Sequence, residues 1–109
     1  LELYREMKMQ KEGNLAIGDA FYNKGDLKAA DRYYAKGGKE NKTETKDKVG
    51  KAYLEEAFKE TDPKLQKKAF DNAFKALSKA YNPAEANRLI GNEFFDLWMD
   101  YYTQALDYY

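Results

Sequence analysis

Cysteine and histidine are both absent from this 109-residue chain. Without cysteine there are no disulfides and no thiolate metal sites. Without histidine the commonest general base and metal ligand is missing, and with it most hydrolase triads and zinc centres. Proline occurs twice and glycine seven times. Each glycine falls in a helical run or a turn, so the pattern of a phosphate-binding loop is lacking. No run approaches eighteen apolar residues, and no membrane insertion is expected. The opening LELYREMKM is charged throughout and lacks the apolar core of a signal peptide. An excess of one charge is missing too: nineteen Lys and Arg balance nineteen Asp and Glu. That balance argues against nucleic-acid binding, which needs a basic stripe to displace counterions, and against a polybasic membrane-surface segment. Paired acids such as Glu55-Glu56 lie among lysines, the pattern of exposed ion pairs that contribute little. The expectation is a non-enzymatic chain with no metal and no cofactor.

What is present is helical periodicity, in one domain by length. Leu3 and Met7, then Leu15, Ile17, Gly18, Phe21 and Tyr22, recur at three-to-four spacing. They predict a helix to about Lys24, with Gly13-Asn14 as an interruption that would separate its first part. Gly25-Asp26 is turn chemistry, because glycine accepts the left-handed conformation that ends one helix and aspartate caps the next. A second helix is predicted over Leu27 to Lys36, stopped by Gly37-Gly38. Lys39 to Thr45 reads as a polar, mobile loop. A third helix is predicted from about Lys46 to Glu60, with Val49, Ala52, Tyr53 and Ala57 on its apolar face. Asp62-Pro63 caps a fourth, running to Ala80, whose stripe includes Leu65, Phe70, Phe74 and Leu77. Asn82-Pro83, with Glu85 at the capping-box position, starts a fifth. Its periodicity continues to the terminus, predicting one helix of about 40 Å. No segment alternates as a strand would.

Self-comparison reveals a repeat. Ile17-Gly18-x-x-Phe21 recurs as Val49-Gly50-x-x-Tyr53 and as Ile90-Gly91-x-x-Phe94. A mid-helix glycine costs about 1 kcal/mol against alanine. Three at equivalent places predict that another helix closes on the backbone at each. Gly18 to Gly50 is thirty-two residues and Gly50 to Gly91 forty-one.

On these residues the chain resembles the tetratricopeptide repeat family, whose motif is about thirty-four residues in two antiparallel helices. Ile17, Gly18, Phe21, Gly25, Leu27, Ala30 and Tyr34 match in register, while Asn14 replaces the first large residue and Gly37 stands where alanine is usual. The resemblance implies an all-α fold, a right-handed solenoid of about two and a half helix hairpins in five helices. The repeat covers 11–44, a degenerate copy 45–82, and a partial or fused copy 83–109. The second copy exceeds the family period by seven residues, two helical turns.

The resemblance also implies function. In this family the first helix of each pair lines a concave groove that binds a partner segment. Carried across in register, the groove positions are Glu12, Leu15, Asp19, Tyr22 and Asn23, then Asp47, Lys51, Leu54 and Glu55, then Arg88, Asn92, Phe95 and Asp96. The expected partner is a protein or peptide, gripped by hydrogen bonds and a few apolar anchors. Some family members clamp a chaperone's C-terminal carboxylate. Arg88 and Asn92 resemble one such element, but Leu15 and Asp19 fill its places in the first copy, and an aspartate would repel the carboxylate. An alternative is structural. Phe94, Phe95, Trp98, Tyr101, Tyr102, Tyr108 and Tyr109 are too many for one neighbouring hairpin to cover, and no polar capping helix follows. The C-terminal helix is then a spacer or oligomerisation surface, with self-association one candidate.

Overall fold

A computed structural model describes residues 2–107, leaving out the side chains of 97, 98, 100–102 and 104–107. The chain is all-α, and the described residues include no strand. Its helices are α1 (Glu2–Asn23), α2 (Leu27–Ala35), α3 (Lys42–Lys59), α4 (Pro63–Ala80) and α5 (Pro83–Asp107). A short 3-10 turn, Lys39–Asn41, precedes α3. The helices pack in series, α1 on α2, α2 on α3, α3 on α4 and α4 on α5. The molecule measures 68 × 28 × 25 Å, with a radius of gyration of 17.1 Å. A compact chain of this length would have about 13 Å.

Turn chemistry sets the hairpins. After α1, Gly25 takes φ 84°. Its N–H donates to the Tyr22 carbonyl at 3.0 Å and the Asp26 N–H to Phe21 at 3.0 Å, a Schellman closure. The Asp26 carboxylate then accepts from the Ala29 N–H at 3.1 Å. Asp62 caps α4 through the Lys64 N–H at 3.0 Å, with Pro63 in the first turn. Asn82 caps α5 through the Glu85 N–H at 2.8 Å. The Glu85 carboxylate turns instead to Arg88.

Two boundaries differ from expectation. Gly13-Asn14 does not interrupt α1, which continues through it with open space around Gly13. One glycine in a long helix is too small a penalty to break it. The segment Lys39 to Thr45 is not a loop. The 3-10 turn leads directly into α3, and the buried Thr45 hydroxyl donates to the Asn41 carbonyl at 3.0 Å. The Asn41 side chain in turn donates to the Gly37 carbonyl at 2.9 Å. These local bonds satisfy the polar groups from which solvation was expected.

The buried apolar residues are mostly small: Ala30, Ala57, Ala69, Ala73, Ala76, Ala80 and Ala86, with Leu27, Tyr34, Val49, Leu54 and Leu77. Small side chains let the helix axes close up, and glycine does so further at two of the three repeat positions. A Cβ on Gly18 would lie 2.5 Å from the Tyr34 ring, and one on Gly50 would lie 2.7 Å from Leu77 Cγ. Both hairpins therefore close on a glycine. Gly91 does not follow them, since a Cβ there would meet nothing within 4 Å. The Leu15 side chain occupies the space a Cβ on Gly37 would need, which accounts for glycine at that position.

Phe58, Phe70 and Phe94 join α3, α4 and α5. Phe58 meets the other two edge-on at 5.5 and 5.1 Å, and Phe70 stacks on Phe94 at 4.9 Å. At the extremities the apolar stripe is uncovered. Leu3 and Met7 are exposed on α1. Of the predicted aromatic surface on α5, Phe94 and Phe95 are exposed. Trp98, Tyr101, Tyr102, Tyr108 and Tyr109 lie outside the described residues.

Candidate functional site

The C-terminal ends of α1 and α3 flank an open concavity of about 690 Å³. Tyr22 and Asn23 stand on the α1 side, Glu55, Glu56, Lys59 and Glu60 on the α3 side, and Gly25, Leu27 and Ala52 between them. The helix pattern dictates this arrangement. Residues three and four apart share a face, so Ala52, Glu55, Glu56 and Lys59 form one ridge of α3. The Gly25 turn ends α1 and brings Leu27 up beneath it. Lys59 pairs with Glu55 at 3.0 Å, and Glu60 accepts the Thr61 and Asp62 N–H groups at 3.1 and 3.0 Å. Three carboxylates against one ammonium leave the α3 wall acidic.

Beside this concavity a polar network ties α1, α2 and α3 together. The Tyr34 hydroxyl donates to Asp19 Oδ1 at 2.5 Å. Lys48 Nζ reaches the same oxygen at 3.3 Å and lies 4.3 Å from the Tyr22 ring centroid, a cation–π arrangement. The Tyr34 hydrogen bond, aided by Lys48, holds the Asp19 carboxyl below the usual aspartate range. Burial, with the Asp19 bond, pushes the Tyr34 phenol up to about 12. The bond to Asp19 gives Tyr34, buried in the hairpin core, a partner for its hydroxyl. Asp19 thereby acts inward as well as outward.

Of the residues placed in the groove by register, Tyr22, Asn23 and Glu55 line the same concavity. Asp19 belongs to the adjoining network. Glu12 is exposed and Leu15 packs against the Gly37 end of α2. Leu54 is a correction: it is 3% exposed and belongs to the core. The register for the second copy is anchored on Gly50, thirty-two residues after Gly18, and sets Leu54 in the place of Tyr22, but α3 is packed by both α2 and α4. Lys51 pairs with Asp47 at 3.1 Å, and Asp47 also accepts the Tyr81 hydroxyl at 2.7 Å. Arg88 binds Glu85 in two hydrogen bonds from Nε at 3.1 and 3.0 Å. Asn92, Phe95 and Asp96 are exposed on α5. Neither Lys51 nor any of these α5 residues lines the concavity.

Register did not point to Glu56, Lys59 and Glu60 on the wall, nor to Lys48 in the network. The first three follow from carrying the three-to-four spacing of Ala52 and Glu55 one turn further along α3. Lys48 carries no sequence signal, because its role depends on how α1 packs beside α3.

Among the described residues, no helix is long and apolar enough to cross a membrane. No group of acidic side chains among them is placed to hold a metal ion. Comparison with protein-family models, with curated proteins and with solved structures finds no match to this chain.

Proposed function

We propose that this chain is a non-enzymatic protein–protein interaction module, a right-handed solenoid segment of tetratricopeptide type that binds an extended or helical partner segment. The observation that carries this reading is the concavity between α1 and α3. It is open along its length and large enough for several side chains. Tyr22 gives it an aromatic wall, Asn23 both a donor and an acceptor, and Leu27 and Ala52 an apolar floor. That mixture suits a peptide held by a few anchors and backbone hydrogen bonds. With Glu55, Glu56 and Glu60 facing a single lysine, the partner segment is one that carries Lys or Arg. Lys51, Arg88 and Asn92 then serve as outlying contacts for a longer partner.

The test is an NMR titration of the isotopically labelled chain with a short amphipathic lysine-containing peptide, repeated with Tyr22→Ala and with Glu56→Lys. Shifts should concentrate on Tyr22, Asn23, Glu55 and Glu56 and weaken in both variants. Unchanged titrations in both variants would sink the groove reading.

A further inference from the structure

Charge is balanced in total but segregated along the chain. Residues 89–109 contain Glu93, Asp96, Asp100 and Asp107 and no Lys or Arg. Residues 1–88 hold the other fifteen carboxylates against all nineteen cations, a net side-chain charge of +4. The four acids are spaced three, four and seven residues apart, the helical spacing that lines a single face.

The positive excess is concentrated as well. A cavity of about 300 Å³ between α2, α3 and α4 is lined by Lys28, Lys46, Lys68, Lys75 and Lys79, with Asp31 its single carboxylate. Asp31 is already matched, at 2.7 Å, by Lys46, whose side chain is only 12% exposed. Lys28, Lys68, Lys75 and Lys79 pair with no carboxylate among the described residues. Two further acids, Glu56 and Glu60, line the adjoining hollow that shares Tyr53 and Lys68. Lys68, Lys75 and Lys79 fall on one face of α4, spread over about 16 Å by the helical rise. On α5, Glu93 and Asp96 are exposed and likewise pair with no cation among the described residues.

Among the described residues, Glu93 and Asp96 pair with none of the α4 lysines of their own molecule. Phe70 turns toward α5, where it stacks on Phe94, whereas the α4 lysines share their cavity with Lys28 of α2 and Lys46 of α3. We infer that the acidic face of α5 seats along the lysine groove of a second copy of this chain. Opposed stripes of unpaired charge set register and orientation in such a contact. The exposed side chain of Met99 on α5 supplies apolar area that charge alone lacks. This contact uses a different face from the α1–α3 concavity and stands independently of that reading.

Sedimentation velocity on the full chain, from about 10 µM to 1 mM, tests it. In low salt the sedimentation coefficient should rise with concentration, and raising NaCl to about 0.3 M should weaken association about tenfold as screening shortens. The triple variant Lys68→Glu/Lys75→Glu/Lys79→Glu should be monomeric, as should Glu93→Lys/Asp96→Lys. An equimolar mixture of the two should associate again, because reversed stripes complement each other. All the substituted side chains are exposed, and far-UV circular dichroism verifies that each variant stays folded. A monomeric wild type throughout the range, variants that associate as wild type does, or a mixture that stays monomeric would each overturn the proposal.

Discussion

Replacing each repeat glycine with alanine separates close helix approach from mere sequence likeness. Alanine gains about 1 kcal/mol over glycine inside a helix, wherever the new methyl has room. At Gly91 it has room, since nothing lies within 4 Å, so the gain is kept. The melting temperature should rise by about 4 °C for a chain of this size. At Gly50 the methyl would stand 2.7 and 2.8 Å from Leu77 Cγ and Cδ2 and 3.2 Å from the Leu77 backbone nitrogen. Leu77 is fully buried, and its branch atom cannot swing clear without moving α4. Overpacking of this kind costs about 1–3 kcal/mol, which outweighs the propensity gain and leaves a net loss of about 1 kcal/mol. At Gly18 the obstacle is the Tyr34 ring at 2.5, 2.7 and 3.1 Å. That ring is anchored by its hydroxyl on Asp19, so the loss there should be at least as large. Urea unfolding followed by circular dichroism, at low protein concentration and about 0.3 M salt, keeps self-association out of the comparison. The reasoning requires Gly91→Ala above wild type, with Gly18→Ala and Gly50→Ala below it. A Gly50→Ala variant as stable as Gly91→Ala would refute it.

Leu77→Ala should lose about 3 kcal/mol by the same urea assay, because Leu77 is one of the few large side chains in a core otherwise filled by alanine; a loss under about 1 kcal/mol would mean that α4 collapses onto α3 without it. Tyr34→Phe should cost about 1 kcal/mol at neutral pH by removing one hydrogen bond, and it should change both limbs of the stability–pH curve. Asp19 is depressed chiefly by the Tyr34 hydroxyl, so its contribution is present above the ordinary aspartate pKa and is lost as pH falls through the folded value. Tyr34 is raised from 10.0 to about 12, so its contribution is complete below pH 10 and disappears as pH climbs toward 12. The variant should therefore show a shallower decline at both extremes, and an unchanged alkaline limb would contradict the assignment.

The helices were legible because their signals are local. Asp26, Asp62 and Asn82 make the caps that their positions announce, and the period of α4 runs uninterrupted between them. Where the reading failed, it failed on local bonds that polarity hides or on contacts between helices. Polarity alone marked Lys39 to Thr45 as loop, but Asn41 and Thr45 find backbone partners within four residues and fold it. The glycine repeat pointed correctly to close approach at Gly18 and Gly50, because a second helix follows each within the chain. After Gly91 the chain continues as the same helix. Leu54 looked like a groove residue by its match to Tyr22, but α3 packs on both α2 and α4 and buries it. Lys48 had no signal at all, since a lysine's pairing depends on which helix packs alongside.

The stagger of α1 and α3 explains where the concavity lies. Lys48 reaches both Asp19 and Tyr22, so α1 and α3 run side by side with position 48 level with positions 19 to 22. Asn23, the last residue of α1, is then level with positions 49 to 52 of α3. Beyond that point α3 continues to Lys59, a further seven to ten residues, or about 10–15 Å by the helical rise. Two helices ending at the same level would leave a flush surface. Here α3 overhangs the end of α1, and its last turns carry Glu55, Glu56 and Lys59 as a wall above the Gly25 turn. Past its repeat glycine α3 runs nine residues, from Gly50 to Lys59, where α1 runs five, from Gly18 to Asn23, and that surplus contributes to the overhang. In the first hairpin α2 spans only nine residues and no comparable ledge can form. Substitutions at Glu55, Glu56 and Lys59, the exposed positions of the overhang, are therefore expected to have little effect on stability, because the buried residues of that stretch are Leu54 and Ala57.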